Sequence, residues 1–253
     1  VISFGKVDIG LKRQTNQDNI FICDTNIGAL PNLYIVADGM GGLSNGELAS
    51  KIAIEVFVEY ITELKELTLN TQDDIINLLN RSIYHTNYVV YNKSKELNAT
   101  QGMGTTFIAI TVFEKHMYIA YVGDSRAYAI NDRDIIQLTI DHSLVQELYE
   151  KGMITLEETA NHPMSHMITR AIGINESIKL DVCIYELEYL DYILMCSDGV
   201  TNMLPDNDIF QIINHNRDHT LETISQEIIS LANSNGGHDN IALIILTAEE
   251  GVK

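Results

Sequence analysis

Residues Gly104–Thr139, "GTTFIAITVFEKHMYIAYVGDSRAYAINDRDIIQLT", set four strand-like runs in close succession. Turn-like steps such as "FEKH" and "NDRD" join them, so the stretch predicts an antiparallel meander. The chain on either side is organised differently. Upstream come the short strand patterns "ISFGKVD", "NIFICD" and "NLYIVAD" and then two helical patterns. The first helix opens with Asn45 as its N-cap and carries Leu48, Ile52, Val56 and Tyr60 on one face; the second repeats Ile75, Leu78, Leu79, Ile83 and Asn87. Downstream lies a less regular region from Ser143 to Ile174. Two strands, "IKLDVCIYEL" and "YILMCSD", follow it. A helix pair, "DNDIFQIINHN" and "LETISQEIISLANS", and a last strand, "NIALIILT", complete the pattern.

Runs such as "YIVA", "YILM" and "IALIIL" are apolar at successive positions, so both of their faces should be covered. With helices arriving in pairs, these features predict an α+β protein. Its two mainly antiparallel sheets pack face to face, with a helix pair on each outer side: an α-β-β-α sandwich. The chain has 253 residues, is 45% hydrophobic and contains only three prolines, with no linker or repeat, which fits one domain over 1–253.

Composition narrows the function. Acidic residues number 35 against 16 basic ones, a net charge of −19, which argues against nucleic acid as a partner. Some of that acidity can serve as ligands for hard cations. Cys23, Cys183 and Cys196 lack C-x-x-C spacing, and the two in apolar strand-like runs, Cys183 and Cys196, read as core thiols, which suggests a reducing compartment. No apolar run is long enough to span a membrane and the start does not resemble a signal peptide, so the cytoplasm is the expected location. Nothing points to an obligate assembly, and a monomer is expected.

The acids have a pattern. "LYIVADGMGG" ends an apolar run with Asp38-Gly39, "YILMCSDGV" does so with Asp198-Gly199, and "HMYIAYVGDSR" delivers Asp124. Asp239 in "NGGHDNIALIIL" precedes a strand instead of following one. Singly, an Asp-Gly after a strand is usually a turn. Four carboxylates at strand mouths, each beside glycine, could converge at one end of a sandwich and would repel one another unless cations neutralised them. With no Cys/His ligand set, Mg²⁺ or Mn²⁺ suits the donors better than zinc, and the Gly39 carbonyl is a further oxygen. A pair of such ions activates a water near neutral pH and clamps a phosphoryl group. Arg13 in "GLKRQTNQD", five residues before Asp18, is the candidate for gripping phosphate oxygens two at a time.

Taken in order, "GLKRQTNQD", "VADGMGG", "MGTT", "VGDSRAY", "DHSLVQEL", "ITRAIG", "LMCSDGVTNML" and "GGHDNIALI" resemble the metal-dependent PPM-type (protein phosphatase 2C) Ser/Thr phosphatases, particularly the compact bacterial ones. The resemblance spans nearly the whole chain. It implies the same α-β-β-α sandwich and a mobile flap over about 145–174. By the same resemblance, Asp38 bridges two metals, the Gly39 carbonyl completes one, and Asp198 and Asp239 hold the other. Asp124 with Asp198 matches the acids of a third ion, so two or three Mn²⁺ or Mg²⁺ ions are implied. Asp18 matches an acid that acts through water, and Arg13 the phosphate-binding arginine. Asn240 is expected to orient Asp239. The implied reaction is in-line attack by a metal-bridging hydroxide on phosphoserine or phosphothreonine of proteins, without a covalent intermediate. Implied partners are a cognate Ser/Thr kinase and its substrates.

One departure stands out: where the family often has a histidine in or just after the Asp-Gly motif, this chain has Met40 and Leu43. General-acid help is worth roughly 10²–10⁴-fold for a poor leaving group. His142, His162 and His166 are the alternatives by sequence, each read first as a loop or flap side chain. The "MGTT" hydroxyls are expected to support the metal loop, and Ser125 and Ser197 are not expected to be nucleophiles. Two other readings compete: a non-catalytic module that binds or regulates phosphoproteins, and a small-molecule phosphatase.

Overall fold

The computed structural model describes residues 1–42, 45–99, 102–160, 162–187 and 191–247. The chain begins with β1 (Ile2–Asp8), β2 (Asp18–Cys23) and β3 (Leu33–Gly41), then α1 (Asn45–Glu63) and α2 (Gln72–Glu96). The short β4 (Met103–Thr105) leads into β5 (Phe107–Phe113), β6 (His116–Val122), β7 (Arg126–Ile130) and β8 (Ile135–Gln137). Helices α3 (Leu144–Glu150) and α4 (Leu156–Ala160) punctuate the irregular region. Then come β9 (Asp181–Glu186), β10 (Tyr192–Cys196), α5 (Asp198–Thr201), α6 (Asp206–His215), α7 (Leu221–Ser234) and β11 (Ile241–Thr247).

One sheet runs β1-β11-β10-β7-β8 and the other β2-β3-β5-β6-β9, with β4 beside the end of β3. The predicted sandwich is present, with α1 and α2 outside the second sheet and α6 and α7 outside the first. Strand alternation builds it. In β3, Tyr34 and Val36 point into the layer between the sheets, while Leu33, Ile35 and Ala37 pack under α1 and α2. In β11, Ala242, Ile244 and Leu246 face inward and Ile241, Leu243 and Ile245 meet the helices. Both faces are covered, as successive apolar positions required.

The meander over Gly104–Thr139 is corrected by the structure. β5 and β6 form one hairpin and β7 and β8 another, but the hairpins lie in different sheets. The remaining neighbour of β6 is β9 and that of β7 is β10, both distant in sequence. The chain crosses between sheets at Gly123–Ser125, a step too short and polar to continue a strand, and Asp124 sits on that crossing. A second crossing, from β1 to β2, carries Arg13.

Two helix details also differ. Asn45 is the first residue of α1, not its cap. The deepest face of α1 is Ala49, Ala53, Phe57 and Ile61, one step round from the predicted stripe, because Gly46, Ala49, Ser50 and Ala53 let the helix lie close on the sheet. Leu48, Ile52 and Tyr60 flank that face half-buried. α2 follows its predicted face and starts in a capping box, where the Asp74 N–H donates to Thr71 Oγ1 and the Thr71 N–H donates to Asp74 Oδ2. Asn87, on the apolar face, is buried but satisfied: it accepts from the Gly173 N–H and donates to the carbonyls of Asn175 and Glu176. It thereby pins the chain leaving the irregular region. The three cysteines are free thiols, with Cys196 buried in the core and Cys23 and Cys183 half-buried. Among the described residues, no helix is long and apolar enough to cross a membrane.

Candidate active site

The acids singled out from sequence gather at one end of the sandwich. Asp18 and Asp38 face each other directly across β2 and β3. Asp198 opens α5 just past β10, Asp239 lies just before β11, and Asp124 is on the crossing between β6 and β7. Asp38 stands within hydrogen-bonding reach of the Asp18 and Asp198 carboxyls. Burial and then like charge raise their proton affinity. Asp38 is raised well above the usual carboxylate range, by burial first and then by Asp18, Asp198, Asp124 and Asp239. Asp18 is pushed up to about 7 by burial despite the Ser197 hydroxyl, and Asp124 to about 7 by burial and Asp198. Asp198 is raised by burial and Asp239.

The backbone under Asp38 is held from both sides. Its N–H donates to Thr106 Oγ1 at 3.0 Å, and its carbonyl accepts from Thr105 Oγ1 and the Thr106 N–H, each at 2.8 Å. Thr106 Oγ1 in turn lies 2.7 Å from Ser125 Oγ, beside Asp124. Ser197 Oγ donates to Asp18 Oδ2 at 2.7 Å and its N–H donates to the Ala242 carbonyl, so it positions an acid. The Thr105 and Thr106 hydroxyls are the supports expected of "MGTT", and Ser125 and Ser197, not expected to be nucleophiles, hydrogen-bond to Thr106 and Asp18.

The glycines have a packing role that the sequence did not reveal. β3 continues through Gly41, pairing Gly39 with Thr105 and Met40 with Gly104. A Cβ at Gly39 would lie 2.1 Å from the Gly46 carbonyl oxygen, so α1 can begin against the strand only because both backbones are bare. At the second Asp-Gly pair, a Cβ on Gly199 would lie 1.8 Å from the Asn240 carbonyl oxygen. Each glycine lets a neighbouring segment close in behind its aspartate.

Arg13 lies in the β1–β2 crossing, and its Nη2 donates to Asp239 Oδ2 at 2.7 Å. That bond, with the charges of Asp38 and Asp198, raises the guanidinium's proton affinity further. Asn240 is buried and ties this crossing down: its side chain accepts from the Gln17 N–H and donates to the carbonyls of Ile9 and Thr15. Its contact with Asp239 is through its own N–H, which donates to Asp239 Oδ1 at 2.8 Å. Asn240 therefore orients Asp239 by backbone and the Arg13 loop by side chain.

The alternative histidines lie elsewhere. His142 is buried with both ring nitrogens engaged, by the Gly123 N–H and by Asp181. His162 accepts from the Met164 N–H, and His166 is exposed on the same turn. Met40 is half-buried in β3, and Leu43 lies outside the described residues. Two supports escaped the sequence reading. Asn202 Nδ2 donates to Asp198 Oδ2 at 3.0 Å, a spacing of four that a helix starting at Asp198 would have suggested. Arg126 grips Asp141 with Nε and Nη2, at 2.7 to 3.1 Å. A cavity of about 650 Å³ opens beside the acids, with Asp124, Asp141 and Asp198 on one side and Val145, Leu156 and Thr159 on the other.

The donor set fits hard divalent cations. Among the described residues, no three His, Cys, Asp or Glu side chains close into a ready-made cage. Mg²⁺-type ions bind through one or two carboxylates each and keep their waters, so such a cage is not required. Asp198 Oδ1 is buried without a hydrogen-bond partner, and the neighbouring acids repel it. A cation would relieve both costs.

Residues 11–232 match the profile of the protein phosphatase 2C family. The chain is 36% identical over 244 residues to the serine/threonine phosphatase Stp of Listeria monocytogenes, covering 95% of this chain and 93% of that protein. It is 35% identical over 246 residues to the protein phosphatase PhpP of Streptococcus pneumoniae, covering 96% of each. Its fold is similar to the crystal structure of the serine/threonine phosphatase Stp1 from Staphylococcus aureus, with a TM-score of 0.88, 34% identity, and coverage of 98% of this chain and 95% of that one.

Proposed function

The chain belongs to the protein phosphatase 2C family and is a protein serine/threonine phosphatase, and from that premise we propose that the acid cluster described above is its catalytic centre. The observation that carries this reading is the convergence of Asp38 with Asp18 and Asp198, together with the unpartnered Asp198 Oδ1. Asp38, the Gly39 carbonyl, Asp198 and Asp239 would hold two Mn²⁺ or Mg²⁺ ions, and Asp124 with Asp198 a third. When bound, these ions supply Lewis-acid stabilisation of the phosphoryl oxygens and bring a water near its ionisation point at neutral pH.

The residues of the chain do the rest. Arg13 binds the phosphate oxygens, and its tie to Asp239 keeps the guanidinium at the mouth of the cluster. Asp18, fixed by Ser197, accepts hydrogen bonds from water at the site. With Met40 where a histidine often stands and His142 occupied, no histidine among the described residues is poised as a proton donor to the leaving alcohol, which leaves that role to water or another residue. The site therefore favours good leaving groups over phosphoserine. Residues from about 145 to 174 form a flap whose Val145, Leu156 and Thr159 wall the cavity beside the acids, where the polypeptide flanking the phosphorylated residue would lie. The substrates are phosphoproteins, and a cognate Ser/Thr kinase and its targets are the partners that this activity implies.

The test is hydrolysis of a phosphothreonine peptide beside p-nitrophenyl phosphate, with Mn²⁺ titrated in after chelation. Metal-dependent release from both, lost in Asp239→Asn, is expected. Release that persists after chelation, or near-parental turnover in the mutant, would remove the acid cluster from the chemistry.

A further inference from the structure

We infer that His142 is a positioning residue that ties the Asp124 crossing to the base of the flap, with one ring nitrogen serving each. The inference rests on reading Asp124 as a cation-holding acid.

A single histidine clamps Gly123, the residue before Asp124, on both sides. The His142 N–H donates to the Gly123 carbonyl at 3.0 Å, and the Gly123 N–H donates to His142 Nδ1 at 3.0 Å. Because Nδ1 accepts, the ring proton is on Nε2, which lies 2.8 Å from Asp181 Oδ2. The same carboxylate oxygen takes Arg170 Nη1 at 3.0 Å, and the His142 carbonyl accepts from the Thr169 N–H at 2.7 Å. Thr169 and Arg170 belong to the chain returning from the flap. The ring is only 4% exposed and stacks on Tyr121 at 5.1 Å and 15°, so neither its plane nor its two partners can drift independently. Burial lowers the ring's proton affinity against the pull of Asp181, which keeps Nδ1 free to accept.

The two arms can be cut one at a time. In His142→Asn the amide oxygen replaces Nδ1 and keeps the bond from Gly123, while the reach to Asp181 is lost. In His142→Gln the amide nitrogen replaces Nε2 and keeps Asp181, while the acceptor for Gly123 is lost. The variants are titrated with Mn²⁺ by calorimetry beside Asp124→Asn, and assayed on a phosphothreonine peptide. In Asp124→Asn and His142→Gln the weakest Mn²⁺ step should weaken about 10–100-fold, while His142→Asn stays within about twofold of the parent. His142→Asn should instead raise KM about tenfold with little change in kcat. Asp181→Ala, at a half-exposed position, cuts the flap arm from outside and should match His142→Asn.

Parental Mn²⁺ affinity in His142→Gln, with Asp124→Asn weakened, would overturn the inference and leave the reading of Asp124 standing. Equal losses of Mn²⁺ affinity and equal rises in KM in both His142 variants, or weakened Mn²⁺ binding in Asp181→Ala, would reduce His142 to a structural residue. An unchanged titration in Asp124→Asn would overturn that reading and the inference with it.

Discussion

Asp38-Gly39 and Asp198-Gly199 are the same dipeptide after the same kind of apolar run, yet they are built differently. At the first, the strand runs on to Gly41, and three hydrogen bonds from Thr105 and Thr106 fix the Asp38 backbone. At the second, the strand stops at Cys196 and a four-residue helix starts on the aspartate itself. There one side-chain bond from Asn202 holds one carboxylate oxygen, and the other oxygen has no partner. The first corner is fixed by the fold whether or not a cation is present. The second, on the proposed reading, is the one a cation would complete.

Four substitutions test that difference. Asp38→Asn strikes the acid in contact with both neighbours, and turnover on p-nitrophenyl phosphate should fall by at least about a thousandfold with the fold intact by circular dichroism. A loss of less than about tenfold would separate Asp38 from the chemistry. Arg13→Ala removes the guanidinium proposed to grip phosphate without touching either corner's frame, so KM for the aryl phosphate should rise roughly tenfold and kcat change less. An unchanged KM would take Arg13 out of the phosphate site. Thr106→Val leaves the Asp38 N–H buried and unpaired, at a cost of about 1–3 kcal/mol of stability visible as a lower Tm even in chelator. If Tm does not move, the first corner is not held as described. Asn202→Ala should show the opposite balance: Tm in chelator nearly unchanged, and Mn²⁺ affinity weakened by up to about tenfold in calorimetry. Equal effects of Thr106→Val and Asn202→Ala in both measurements would dissolve the contrast between the corners.

Much of this was legible in the residues. Strands apolar on both faces and helices in pairs dictated the layers, because each such strand must be covered twice. Asp38, Asp124 and Asp198 announced themselves by ending apolar runs. The partition of strands between sheets was not legible. "AYVGDSRAYA" reads locally as one continuing meander, and what separates β6 from β7 is their pairing with β9 and β10, far along the chain. The function of the glycines was half-read: bare backbone at Gly39 admits the start of α1, a packing role beyond the carbonyl ligand expected of it. His142 reads first as a loop side chain, and sequence gives no hint that Gly123 and Asp181 would occupy both its nitrogens.

β11 lies between β1 and β10, and Asp239 stands at its entrance. The strand that completes the first sheet comes after every other strand among the described residues, so the sheet closes only when residues 241–247 meet residues 2–8. Until it slides in beside β1, Asp239 cannot face Asp38 and Arg13 has no tether. With β2, β3, β5, β6 and β9 paired and α1 and α2 packed on them, the acid cluster still lacks Asp239 until β11 pairs with β1 and β10. Competence of the proposed centre therefore waits on a pairing between strands from opposite ends of the described fold.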